Sequence, residues 1–167
     1  MMFFALLLAA AAAAETPALP PPPAIEVERA GTMAKMPGSP TVITGSAVSE
    51  APFQGRKDVN FPGLFISFEP KARTFWHSHP AGQMLIITSG CGLLESEGSA
   101  PLVVKAGDVV WIPPGVKHWH GGSADSAMSH YAMVNLVGGK AIDIMEPVSD
   151  TQYVAAIHSA SKCPIEK

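Results

Sequence analysis

From Thr41 onward, apolar and polar residues alternate in short bursts rather than at helical spacing. The bursts read "TVITGSAV", "GLFISFE", "TFWH", "QMLIIT", "GLLES", "LVVK", "DVVWIP", "KHWHG" and "AMSHYAMVNL". Each is rich in β-branched or aromatic residues, and turn-like breakers such as "SGCG", "EGSAP", "KAGD" and "PPGV" separate them. Eight or nine short strands at this spacing predict an all-β single domain, either an antiparallel barrel or a double-sheet jelly roll. One stretch departs from the pattern. "SDTQYVAAIH" opens on Ser149 or Asp150 as a cap and predicts a short C-terminal helix. No repeat and no heptad is visible.

The residues before Thr41 follow other rules. "MMFFALLLAAAAAA" is wholly apolar and ends in small residues, with Ala12-Ala13-Ala14 as an A-x-A cleavage site. It is shorter than the roughly 20 apolar residues that span a bilayer. It reads as a signal peptide, although no Lys or Arg precedes it, and predicts export, with the periplasm as destination. "TPALPPPPA" then reads as an extended polyproline spacer. The expected organisation is a signal peptide over 1–14, a Pro-rich linker and N-terminal arm over 15–40, a barrel over 41–148, and a helix with tail over 149–167.

Composition narrows the partners. A chain of 167 residues with 47% hydrophobic residues supports one core, and a net charge of −3 leaves no basic stripe for nucleic acid. With the leader removed, nothing points to a membrane. Cys91 lies in a barrel strand and Cys163 in the tail. The reading favoured is a small buried thiol and a loose one, with pairing as the alternative in an exported chain.

Five of the six histidines fall between His77 and His130. Residues two apart on a strand share a face, so His77 pairs with His79 and His118 with His120. His130 shares its face with Met128, Ala132 and Val134. Three strands can thus turn five imidazoles into one interior, where clustering around a metal removes the need to satisfy each buried ring separately. His158, on the predicted helix, is assigned to solvent. Trp76, Trp111 and Trp119 flank the inward histidines and should point outward, under a second sheet or at an oligomer interface. A homo-oligomer, dimer or tetramer, is expected.

The spacing His77-x-His79, three residues, Gln83, six residues, Gly90, followed by Gly107, five residues, Pro113-x-Gly115, two residues, His118, resembles both signature motifs of the cupin superfamily. That resemblance implies a jelly-roll β-barrel holding one divalent metal on His77, His79, Gln83 and His118. It departs from the usual pattern in having Gln83 for glutamate and Gly122 for a frequent asparagine. Over Thr41 to Tyr153 the chain is similar to a narrower group, the small bacterial manganese-dependent cupin hydroxynitrile lyases of the mandelonitrile lyase type. The stretches shared are "FEPKARTFWHSHPAGQ", "SGCG", "GDVVWIPPGVKHWHG" and "MSHYA". By position, His120 and His130 would be the catalytic pair around a small-molecule substrate, with Ile66 and Thr74 lining the pocket. Val134 stands where that group has a glutamine. Strict alternation from His77 turns Thr74 outward unless a bulge intervenes.

Three imidazoles and an amide oxygen leave a divalent ion its full +2 charge, favouring an anionic oxygen over oxygen activation. Such ligands suit manganese, iron(II) or zinc alike; the resemblance implies manganese first. The reading is a lyase that cleaves or forms the carbon–carbon bond between cyanide and an aldehyde. Its rivals are a mononuclear iron or manganese dioxygenase and a non-catalytic metal- or ligand-binding barrel.

Overall fold

The computed structural model describes residues 25–29, 31–52, 63–160 and 162–163. The expected signal peptide and polyproline spacer lie outside the described residues. Among the described residues, twelve strands precede one helix: β1 (Lys35–Pro37), β2 (Ile43–Thr44), β3 (Ala47–Glu50), β4 (Gly63–Phe68), β5 (Arg73–Thr74), β6 (His77–Ser78), β7 (Gln83–Ser96), β8 (Leu102–Lys105), β9 (Val109–Ile112), β10 (His118–Gly122), β11 (Met128–Val134), β12 (Asp143–Ile144) and α1 (Asp150–Ser159). All pairings are antiparallel, in the order β1-β3-β4-β11-β7-β10-β5-β2. The all-β class expected from the alternation, and the jelly-roll barrel that the resemblance implies, are what form. β1 falls in the stretch read as an N-terminal arm and adds an edge strand to β3.

β7 joins the two halves of the curled sheet. Its first residues pair with β9 and β11, and its last with β8 and β10. The corner lies at Gly90, whose φ is +68°, and a Cβ there would run into the Ala127 carbonyl. Only glycine fits both demands. The inner faces bury an apolar cluster that includes Ile66, Phe68, Leu85, Ile87, Ile112 and Met128.

A second cluster lies outside the barrel. Trp76 and Trp119 are buried with Leu93, Val148, Tyr153 and Ala156. The outward expectation for these indoles therefore holds, but what covers them is α1. Trp111 stays exposed. The helix begins as its sequence predicts. Ser149 accepts from the Gln152 amide and the Gln152 side chain accepts from the Ser149 amide, a reciprocal cap.

Three further ties hold α1 to the barrel. Tyr153 Oη donates to the Gly122 carbonyl at 2.8 Å. Arg73, buried, donates to the Val148 carbonyl and to Asp150, with its guanidinium over the Tyr153 ring. The third is a disulfide between Cys91 and Cys163, whose Cα atoms are 5.9 Å apart. This corrects the expectation of two unpaired thiols. Packing of α1 on β7 carries the tail back across the strand that holds Cys91, and a position read as loose in sequence is brought within bonding reach.

Candidate metal centre

β6 and β10 are neighbours, with His77 directly opposite His118 in register. His79 lies just past the end of β6 rather than on a continuous strand. One ring nitrogen from each of His77, His79 and His118 lies within 4.8 Å of the other two, and all three residues are buried. Gln83, the first residue of β7, is buried beside them, with Oε1 3.1 Å from His118 Nε2.

The hydrogen bonds fix which nitrogen is available. His77 Nδ1–H donates to the Phe75 carbonyl at 2.9 Å, His118 Nδ1–H to Val116 at 2.9 Å, and His79 Nδ1–H to Ala141 at 2.7 Å. A carbonyl can only accept, so each ring carries its proton on Nδ1 and presents a lone pair at Nε2. Among the described residues, His79 Nε2 is buried with no hydrogen-bond partner. His118 Nε2 faces the Gln83 oxygen, an acceptor against an acceptor. Either a cation between them or a half-turn of the amide resolves that contact. The group therefore fits a divalent ion through three imidazoles, with Gln83 placed as a fourth, uncharged donor.

Burial, then the neighbouring His118, holds His77 down to about 3, and burial holds His118 at about 4. His79 is lowered by burial as well. All are thus neutral near pH 7, the state a metal ligand requires.

Beyond this group sits a second pair. His120, on β10 two residues past His118, has Nδ1 3.3 Å from His130 Nε2 on β11. Burial lowers His120 well below its ordinary range and brings His130 to about 4. Among the described residues, His120 Nε2 is buried with no partner, and its ring centroid is 5.3 Å from that of His77. Phe68 packs edge-on to His120 at 5.7 Å and lies 5.8 Å from His130.

The pocket residues expected from sequence gather at the same place. Ile66 is opposite His130 on β4, and Val134 is opposite Gln83 on β7. Directly opposed residues share a face, so Val134 stands beside the amide. Thr74 is buried, pairs with the core residue Ile43, and accepts the His120 backbone amide at 3.1 Å. The expected conflict with alternation disappears because the strand breaks at Phe75–Trp76, separating β5 from β6. Gly122, which lacks the family's frequent asparagine, has no room for one: a Cβ there would come 2.6 Å from the Glu69 carbonyl.

Two contributors escaped the sequence reading. Ala141, in the segment that pairs with β6 through β12, supplies the carbonyl that orients His79. A backbone carbonyl leaves no signal in sequence. Phe68 had one, since it lies two residues beyond Ile66 on the same face. Among the described residues, the buried ionisable side chains are the five histidines, Arg73 and Tyr153, and the last two are engaged where α1 meets the barrel.

A curled antiparallel sheet enclosing three convergent imidazoles defines a metal-binding cupin, and the chain belongs to the cupin superfamily. The model described as "Cupin domain" matches residues 64–134. The chain is 44% identical to an (R)-mandelonitrile lyase of Granulicella tundricola over 129 residues, which covers 77% of this chain and 98% of that protein. Among solved structures it is similar to a cupin-like protein of Thermotoga maritima, at 34% identity and a TM-score of 0.69, covering 78% of this chain and 96% of that one. A polyketide cyclase of Streptomyces resistomycificus shares the fold at 11% identity and a TM-score of 0.61, covering 82% and 99%.

Proposed function

We propose that the chain is a metal-dependent hydroxynitrile lyase, splitting a cyanohydrin into an aldehyde and hydrogen cyanide or running the reverse. The observation that carries this reading is the buried His120–His130 pair beside a candidate metal-ligand group that, among the described residues, contains no carboxylate. The (R)-mandelonitrile lyase relative supports it. His77, His79, Gln83 and His118 would hold the ion; the donor set suits manganese, iron(II) or zinc, and the resemblance to the manganese-dependent lyases makes manganese the first candidate. When bound, the ion supplies Lewis acidity that makes a substrate hydroxyl easier to deprotonate.

The chain's own residues supply the rest. Burial keeps His120 neutral, and its unpartnered Nε2 is an acceptor for the hydroxyl proton. Its Nδ1–H then donates to His130 Nε2. As the C–C bond breaks, its electron pair leaves with cyanide and the oxygen's electrons form the aldehyde carbonyl. The proton held by the histidine pair leaves as HCN. Apolar Ile66, Phe68 and Val134 suit the uncharged remainder of the substrate and exclude water.

We also propose that the protein acts outside the cytosol, since a disulfide tying the tail to the barrel persists in an oxidising compartment. A periplasmic product beginning at Glu15 is expected, and an intact Met1 chain in the cytosol would overturn that assignment.

The function is tested by metal analysis of purified protein together with a mandelonitrile cleavage assay under air and under nitrogen. Benzaldehyde release at the same rate in both supports the lyase. Metal-loaded protein that consumes oxygen, or turns over no cyanohydrin, refutes it.

A further inference from the structure

One segment touches the candidate metal centre without supplying a ligand. Residues 135–146 leave β11 at Val134, opposite Gln83, and enter β12, where Ile144 lies opposite His77. Between those points the Ala141 carbonyl accepts from His79 Nδ1 at 2.7 Å. The segment thus runs from beside one ligand to beside another and holds a third by its ring.

Its own attachment differs from that of the barrel strands. Each of residues 135–147 is exposed or half-buried, so the core does not anchor it. Its ties are polar. Val137 and Lys140 exchange backbone hydrogen bonds around Gly138 and Gly139, both at positive φ. At the far end Met145 N–H donates to the Trp76 carbonyl, and Trp76 N–H to the Glu146 carbonyl. Lys117 latches that end to the barrel wall. Its Nζ donates to Glu146 at 2.6 Å and to Glu97 at 2.8 Å, and stands 5.4 Å from the centre of the Trp76 ring. Segments with few buried apolar contacts and exposed backbone bonds open locally at low cost.

We propose that residues 135–146 are a strap that positions the metal ligand His79, latched by Lys117 and Glu146, and that opening of this strap is how the centre exchanges its ion. The asymmetry among the three rings carries the inference. His77 and His118 are each held by a carbonyl two residues upstream, independently of the strap. His79 has its main-chain carbonyl fixed by Gly82 and Gly115, but its ring answers to Ala141. When the strap lifts, the backbone of His79 stays. Its ring loses the acceptor that keeps the proton on Nδ1 and the lone pair on Nε2. Lys117 and Glu146 are positioning residues that act on the ion only through His79. This role rests on the metal centre proposed above and is indifferent to the reaction run there.

The full-length chain, loaded with manganese or with zinc, is challenged with excess EDTA, and the metal left on the protein is followed by mass spectrometry after timed desalting. Glu146→Gln unlatches the strap, and Gly139→Val strains its turn without altering charge. Both should lose metal about two- to fivefold faster than wild type, the scale of one surface ion pair. Glu97→Gln takes a charge from the same lysine without touching the strap, and should lose metal no faster. Salt screens the latch, so it should quicken loss from wild type more than from Glu146→Gln. Far-ultraviolet dichroism verifies that each variant is folded. In metal-free protein, hydrogen exchange by NMR reads the strap directly. His79 Nδ1–H should exchange in step with the Met145 amide and faster than Nδ1–H of His77 and His118. Metal loss unchanged in both strap variants overturns the proposal, and so does a His79 proton that exchanges no faster than the other two. A folded chain that takes up neither metal refutes the metal centre itself and this role with it, a result distinct from a loaded chain whose strap variants behave as wild type.

Discussion

Replacing Gln83 by glutamate changes one charge at nearly constant shape. At the 3.1 Å that separates Gln83 Oε1 from His118 Nε2, two unit charges interact by about 5 kcal/mol at an effective dielectric near 20. Desolvating the new carboxylate consumes much of that. In metal-free protein, His118 should rise from about 4, because the carboxylate favours its protonated form. Proton titration by NMR reads this directly. With metal, the carboxylate lowers the net charge of the site, so the ion should be held at least as tightly while substrate oxygen is stabilised less. Turnover of mandelonitrile should fall tenfold or more, about 1.4 kcal/mol of transition-state stabilisation, roughly a quarter of the interaction available. Metal content by mass spectrometry and benzaldehyde release by absorbance separate the two effects. A Gln83→Glu protein with full metal and turnover at or above wild type would refute the electrostatic role of the neutral ligand.

Other outcomes follow from the same geometry. His77→Ala and His118→Ala should each reduce bound metal by more than tenfold on dialysis, whereas His120→Ala should keep its metal and lose turnover by at least a hundredfold. Tyr153→Phe removes the buried bond to the Gly122 carbonyl and should lower stability by about 1–2 kcal/mol, read as a melting temperature roughly 3–6 °C lower. His130 titrates near 4 folded against 6.5 in the open chain, so the unfolded state binds more protons between those values. Urea unfolding of metal-free protein should therefore show stability complete above pH 6.5 and falling as pH drops toward 4, by more than about 1 kcal/mol.

Much of this was legible in the sequence because strand alternation carries spatial information. His118 and His120, two apart on β10, share a face as expected, and Ile66 and Val134 lie opposite His130 and Gln83. The chain also signalled the capped helix through Ser149 and Gln152. What it hid depends on tertiary return. Thr74 faces inward only because the strand breaks at Phe75–Trp76, and no local propensity marks that break. Cys163 finds Cys91 only once α1 has docked. The covering of Trp76 and Trp119 by a helix rather than a second sheet likewise rests on contacts 30 or more residues away, such as Tyr153 to Gly122.

The carbonyls that pin the three imidazoles differ in when they exist. Those for His77 and His118 lie two residues upstream of each ring, and leave the ribosome before the histidine they hold. His79 waits for Ala141, 62 residues later. A growing chain thus displays all four candidate ligands while one is still free to choose its tautomer. The last of the three imidazoles is therefore oriented only when nearly all of the barrel has been made.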